Sequence, residues 1–342
     1  MASDKTIVFI TGANSGIGLE TVIALSQASA DFHILLGARS IEKGEKALSE
    51  IQSASYPGGP LKGTISVVQI DVSDEKSIRA AGEHIESTYG KLDVLINNAG
   101  IIVIRPCDTL TNLRETFETN VFGPMLLTEV LEPLLKKSTK TPYIIHVSSE
   151  QGSMALRLDP DYTFKHVRGD TYRMSKAAVN MMAACHKYNY AELGWKVCAF
   201  NPGFCVTNLT GPKGREMRIQ AGARPARDAA DALVEVVQGK RDSDVAKSGI
   251  VDLDGGVQPC TGSDLETEMG FVVPSRTVPE VQPIPQDITY TVMPRQNVSA
   301  MATCRQPNLV YVVDVCRGWC QIPSAMADGG DSSGIMFNFD NG

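Results

Sequence analysis

Seven continuously apolar runs punctuate the first 260 positions: TIVFIT (6–11), HILLGA (33–38), ISVVQIDV (65–72), DVLINNAG (93–100), YIIHVSS (143–149), KVCAFNPG (196–203) and GIVDLDG (249–255). None alternates apolar with polar residues. Each therefore reads as a strand covered on both faces. The stretches between them, such as GLETVIALSQASA and EKSIRAAGEHIESTYG, carry apolar residues at helical spacing. Strand and helix in alternation predict an α/β fold with a doubly wound parallel sheet of about seven strands. Sheets of this kind bind ligands beyond the carboxyl ends of their strands.

The pattern changes after residue 260. Residues 261–342 hold seven prolines, no helical period and one strand-like run, NLVYVVDVC (308–316). The chain is accordingly expected to form one folded domain over 1–260. Residues 261–342 are expected to be an appendage of unassigned role, partly disordered, with a mobile tip. No internal repeat is evident.

Composition narrows the partners. At 342 residues and 43% hydrophobic content, the chain can bury an ordinary globular core. A net charge of −7 without a basic block argues against nucleic acid. The start, MASDKTIVFITG, lacks the apolar core of a secretory signal, and no run of about 18 apolar residues marks a membrane span. A cytoplasmic location is the expectation. Of the eight cysteines, Cys107, Cys185, Cys198, Cys205 and Cys260 lack metal-ligand spacing and are expected to be reduced, mostly buried thiols. Cys304, Cys316 and Cys320 lack an evident fourth ligand, so free thiols are favoured over zinc. His33 and His146 fall in apolar strands and read as core residues. His84, His166 and His186 read as surface or loop residues. No metal is expected.

TGANSGIG (11–18) directly follows the first strand. Gly12, Gly16 and Gly18 would close that strand and open a helix, whose first N–H groups are unpaired. With Ser15 and Ile17 they would let a pyrophosphate lie against the backbone. The second strand ends LLGARS, without the carboxylate that grips a ribose diol. Arg39 and Ser40 stand there instead, suited to a 2′-phosphate. The cofactor expected is NADP(H).

TYRMSKAAVNMM places Tyr172 and Lys176 four apart, on one helix face. A free phenol has a pKa near ~10, and a nearby ammonium lowers it, which makes a tuned proton donor. Such a pair alone is a weak signal. Here Ser148 and Ser149 end the fifth strand, where a hydroxyl can donate to a carbonyl oxygen. Asn97-Asn98-Ala99-Gly100 ends the fourth strand, and Asn120 lies in a helical context.

Together these segments resemble the short-chain dehydrogenase/reductase family, in a carbonyl-reductase-like branch similar to reductases of fungal secondary metabolism. The resemblance covers about residues 5–260 and rests on T-G-x-x-x-G-I-G, Asp71-Val72, Asn97–Gly100, Asn120, Ser149, Tyr172, Lys176 and Pro202-Gly203. It implies a Rossmann-type domain, with a catalytic set of Asn120, Ser149, Tyr172 and Lys176. Tyr172 would pass the proton and Lys176 would lower its pKa and hold the nicotinamide ribose. Ser149 would orient the carbonyl, and Asn120 would hold a water. It further implies that Asp71 contacts adenine, Asn98 lines the cofactor channel and Thr207 meets the carboxamide. Ser149 rather than Ser148 takes the serine role, on the position of Gly152. The expected reaction is hydride transfer between NADPH and a ketone, aldehyde or secondary alcohol of a small, fairly apolar molecule. The rivals are an NAD-dependent alcohol dehydrogenase and a dinucleotide-binding protein without turnover. Assembly into homo-oligomers is common in the family. Two features depart from it: 22 residues (150–171) separate Ser149 from Tyr172, and 261–342 has no counterpart.

Overall fold

A computed structural model describes residues 5–260, together with the backbone of four short strands between 290 and 320. Elements of the first part run β1 (Thr6–Ile10), α1 (Gly16–Ala28), β2 (Phe32–Ala38), α2 (Ile41–Ser53), β3 (Thr64–Gln69), α3 (Glu75–Tyr89) and β4 (Val94–Asn97). There follow α4 (Thr109–Phe117), a π-helical turn (Glu118–Phe122), α5 (Gly123–Lys136), β5 (Tyr143–Val147), α6 (Met154–Leu158) and α7 (Asp170–Asn189). The part closes with β6 (Lys196–Asn201), α8 (Gly211–Gln220), α9 (Ala226–Val237), α10 (Asp242–Ala246), β7 (Ile250–Asp252) and β8 (Val257–Gln258).

The eight strands form one sheet in the order β3-β2-β1-β4-β5-β6-β7-β8. β1 to β7 are parallel, and β8 adds an antiparallel edge that the apolar pattern did not announce. The order reverses between β1 and β4, which opens a crevice at their carboxyl ends.

Both sheet faces are covered, as continuous apolar runs require. Val8 and Ile10 of β1 join Val22 and Leu25 of α1 and Leu233 and Val236 of α9 in one core. Ile7 and Phe9 point the other way and pack with Ile78 and Ile85 of α3 and Leu127 and Leu131 of α5. Each such buried side chain stabilises the fold by about 1.5–3 kcal/mol relative to exposure. The strands end at Asn97, Val147 and Asn201, short of the full runs read from sequence. The residues that follow leave the sheet to form the crevice.

Some side-chain placements differ from expectation. Cys107 and Cys185 are exposed, while Cys198 and Cys205 are buried and Cys260 is half-buried. Cys107 lies in an open loop and Cys185 on the outer side of α7, so neither is drawn into a core. His186, expected at the surface, is 4% exposed. It lies on the α7 stripe that also carries Val179 and Ala183, and its Nδ1 meets His146 Nε2 at 3.2 Å.

Contacts divide the chain into two compact units, Met1–Gly270 and Phe271–Gly342. The second holds a four-stranded antiparallel sheet: β9 (Tyr290–Met293), β10 (Met301–Gln306), β11 (Leu309–Asp314) and β12 (Trp319–Cys320), in the order β12-β11-β10-β9. β11 falls within the strand-like run read at 308–316. The expected mobile tip, Cys316, and the side chains of Cys304 and Cys320 lie outside the described residues. Among the described residues, no helix is long and apolar enough to cross a membrane. Among the same residues, no group of three or more His, Cys, Asp or Glu side chains is arranged to hold a metal ion.

Candidate active site

The glycine turn is built by close approach. Gly12 and Gly16 adopt left-handed φ values of 62° and 58°, which favour glycine. A Cβ on Gly12 would lie 2.9 Å from Ala99 Cα, and one on Gly18 would lie 2.6 Å from Asn98 Nδ2. Asn98 stitches the β1 and β4 ends together: its Nδ2 donates to the carbonyls of Thr11 (2.8 Å) and Gly12 (3.2 Å). The Thr11 hydroxyl in turn accepts from the N–H groups of Asn98 and Ala99. α1 starts at Gly16 with Ser15 as N-cap, yet no side chain caps it and no acid lies in its first turn. Unpaired N–H groups therefore face a cavity of about 370 Å³ whose walls include Ser15, Ile17, Asn98, Arg39, Tyr172 and Lys176. An uncapped helix start behind a side-chain-free turn fits a dinucleotide's phosphates.

Past β2, Arg39 is exposed at the cavity wall. Ser40 is occupied as the N-cap of α2, accepting from the Lys43 N–H at 3.2 Å and donating to Glu42 at 2.5 Å. After β3, Ile70 and Val72 line the cavity. The Asp71 carboxylate instead turns to its own loop, accepting from the Ser73 N–H (2.9 Å) and hydroxyl (2.6 Å). Thr207, past β6, sits beside Gly16 and lines the same cavity.

α7 brings Tyr172 and Lys176 to the same crevice. Gly152 has no Cβ to hold α7 away: one added there would stand 2.5 Å from the Lys176 carbonyl carbon. Lys176 is 5% exposed. Its ammonium donates to the Val147 carbonyl at 2.9 Å and lies 5.7 Å from the centre of the Tyr172 ring. The Ser149 hydroxyl adjoins the Tyr172 phenol and favours its ionised form. Ser148 faces the other way and bonds Asn180 at 2.5 Å. Asn120 is 2% exposed, in the π-helical turn between α4 and α5. Its Oδ1 accepts from the Ile101 N–H at 2.8 Å, and its Nδ2 donates to the Ile101 carbonyl and the Ser175 hydroxyl, both at 3.0 Å. π-turns of this kind recur at functional sites.

Residues from three distant stretches of the chain thus meet at one strand-end crevice beside an anion-ready helix. The short-chain dehydrogenase family profile matches residues 6–218. The chain belongs to the short-chain dehydrogenase family.

Among relatives, it is 36% identical over 231 residues to "Short-chain dehydrogenase anuI" of Penicillium roqueforti, covering 66% of this chain and 88% of that protein. It is 33% identical over 276 residues to "Short-chain dehydrogenase/reductase tropE" of Talaromyces stipitatus, covering 75% and 98%. A crystal structure of NADPH-bound carbonyl reductase from chicken fatty liver superposes with a TM-score of 0.58 at 24% identity, covering 76% of this chain and all of that one. As a member of this family the protein is an oxidoreductase acting between C=O and CH–OH with a nicotinamide dinucleotide.

The short-chain dehydrogenase site differs electrostatically from the tuning expected of a Tyr–Lys pair. Burial pushes the Tyr172 phenol up to about 12. The positive charge opposing that rise belongs to Arg218, with the Ser149 hydroxyl adding to it. Burial also brings the Lys176 ammonium down to about 8. The expected lowering of the phenol by Lys176 is therefore reversed in net direction, because desolvation of the phenolate outweighs neighbouring charge.

The segment 150–171 is held by its own side chains and by Phe204. Tyr162 donates to Glu150 at 2.9 Å and accepts from Gln151 at 2.7 Å, immediately past Ser149. Phe164 stacks between Tyr162 and Phe204, with ring centres 5.8 and 5.5 Å apart. Sequence reasoning passed over Tyr162, Phe164, Ser175 and Arg218. Their motifs carry no spacing signal; only the aromatic content of the 150–171 insertion pointed to Tyr162 and Phe164, and nothing pointed to Ser175 or Arg218. Met154 and Met217 are 59% and 67% exposed.

Proposed function

We propose that the enzyme is an NADPH-dependent reductase of ketones or aldehydes on fairly apolar molecules, working in small-metabolite biosynthesis in the cytoplasm. The observation that supports it most is the phenol of Tyr172 beside the Ser149 hydroxyl, with the Lys176 ammonium 5.7 Å from the centre of its ring. Bound along the glycine turn, the nicotinamide dinucleotide supplies the hydride. Gly12, Gly16 and the α1 N-terminus would hold its phosphates. Arg39 would take the 2′-phosphate with paired, charge-assisted hydrogen bonds. With its pKa held high, Tyr172 carries its proton at neutral pH and gives it to the carbonyl oxygen. Ser149 donates to the same oxygen as negative charge develops on it. The Lys176 ammonium adds positive charge beneath the site. Asn120 fixes the Ile101 backbone along the opposite wall. On this reading residues 1–260 hold every cofactor and catalytic group.

The experiment is oxidation of NADPH and NADH with a ketone panel, wild type beside Tyr172→Phe. Turnover favouring NADPH, lost by about 10²–10⁴-fold in the variant, is expected. Tight NADPH binding without turnover across the panel would leave a binding protein rather than a reductase. A preference for NADH would move the reading to an NAD-dependent alcohol dehydrogenase.

A further inference from the structure

Arg218 stands on α8, half-buried. Its guanidinium carbon lies 5.1 Å from the centre of the Phe204 ring, the last member of the Tyr162–Phe164–Phe204 row. Its Nε reaches the Thr210 hydroxyl at 3.4 Å, and its Nη1 donates to the Cys205 carbonyl at 3.1 Å. Two neutral oxygens and one aromatic face therefore fix the fork. Among the described residues it makes no ion pair, and its Nη2 has no hydrogen-bond partner. Arg241, by contrast, bonds the Asp244 carboxylate at 2.7 Å. A half-buried guanidinium held by neutral groups keeps its full charge for something that arrives from outside.

The placement says what arrives. Tyr162 is tied to Glu150 and Gln151, directly after Ser149, so the aromatic row runs from the catalytic serine to Arg218. The charge of Arg218 is felt at the Tyr172 phenol. A substrate whose carbonyl lies on Ser149 and Tyr172 would pass its body along Phe164 and Phe204 and end at the guanidinium. We propose that Arg218 is a specificity-determining residue that binds an anionic oxygen, a carboxylate, of an aromatic or extended keto acid reduced at this site. The proposal rests on the reductase reading above and names its substrate class.

The test uses the full chain and two aryl keto acids of different length, phenylglyoxylate and benzoylpropionate, each beside its methyl ester. The readout is the ratio of kcat/KM for acid to kcat/KM for ester. Wild type should favour the acid of at least one pair by about tenfold or more, the worth of a hydrogen bond to a charged group. Arg218→Gln should lower that ratio by about 10- to 100-fold, whatever loss both probes share, and Arg218→Lys should retain part of it. A wild-type ratio near one for both pairs overturns the proposal, and this needs no variant to fold. A preference for the acid that survives unchanged in Arg218→Gln also overturns it, since another group then reads the anion. Failure of the wild type to oxidise either cofactor with all four probes and with neutral ketones overturns the reductase reading, and the proposal with it.

Discussion

The Lys176 ammonium donates to the Val147 carbonyl at the end of β5 and stands 5.7 Å from the Tyr172 ring centre, two contacts made by one side chain that is 5% exposed. The lysine is thereby locked between the sheet and the phenol. Burial leaves its pKa at about 8 while that of Tyr172 rises to about 12.

Titration of the free enzyme checks the phenol. No tyrosinate assignable to Tyr172 should appear below about pH 10 in the difference absorption of wild type against Tyr172→Phe. The proton needed for reduction is then in place throughout the neutral range. A titration step near pH 7 would contradict the burial argument.

Lys176→Met should abolish most activity yet change stability in a pH-dependent way. The lysine pKa falls from 10.5 to about 8 on folding. The unfolded chain therefore binds more protons between those values, and wild-type stability rises with pH across that window. Below it the buried charge costs about 3 kcal/mol, partly offset by the bond to Val147. The variant lacks this charge. Its melting temperature relative to wild type should be most favourable at neutral pH and fall back as pH rises through the folded pKa toward 10.5. Thermal melts at several pH values measure it, and a difference independent of pH would contradict it.

Arg39→Asp should raise KM for NADPH by about 10- to 100-fold and spare NADH by comparison, because a carboxylate repels a 2′-phosphate. Steady-state KM values for both cofactors are the measurement. An unchanged ratio would remove Arg39 from the phosphate site.

Gly18→Ala should destabilise the fold by about 1–3 kcal/mol and weaken dinucleotide binding. The added methyl would stand 2.6 Å from Asn98 Nδ2 and 2.7 Å from the Gly12 carbonyl, inside the stitched turn. Denaturant melts and fluorescence titration with NADPH report the two effects. Loss of neither would mean the turn can relax around a side chain.

Much of this architecture was legible in the chain. Continuous apolar runs announced buried parallel strands, and β1 through β7 lie within or across them. The glycine spacing announced the turn, since glycine is demanded wherever backbone meets backbone, as Gly12 does at Ala99. The four-residue step from Tyr172 to Lys176 put both on one helix face. β8 escaped because two residues carry no period. His186 was misread because its neighbours along α7 are polar, and only the sheet beneath shows which stripe is covered.

The sequence by itself determined which residue types stand at the strand ends and on the α7 face, because local periodicity and backbone stereochemistry act over a few residues. The tertiary structure alone decided the direction of the Tyr172 shift, the occupation of Ser40 by its own helix and the arrival of Arg218 beside Phe204. Those depend on burial and on charges brought together from distant segments, and desolvation has no signature in any short stretch of chain.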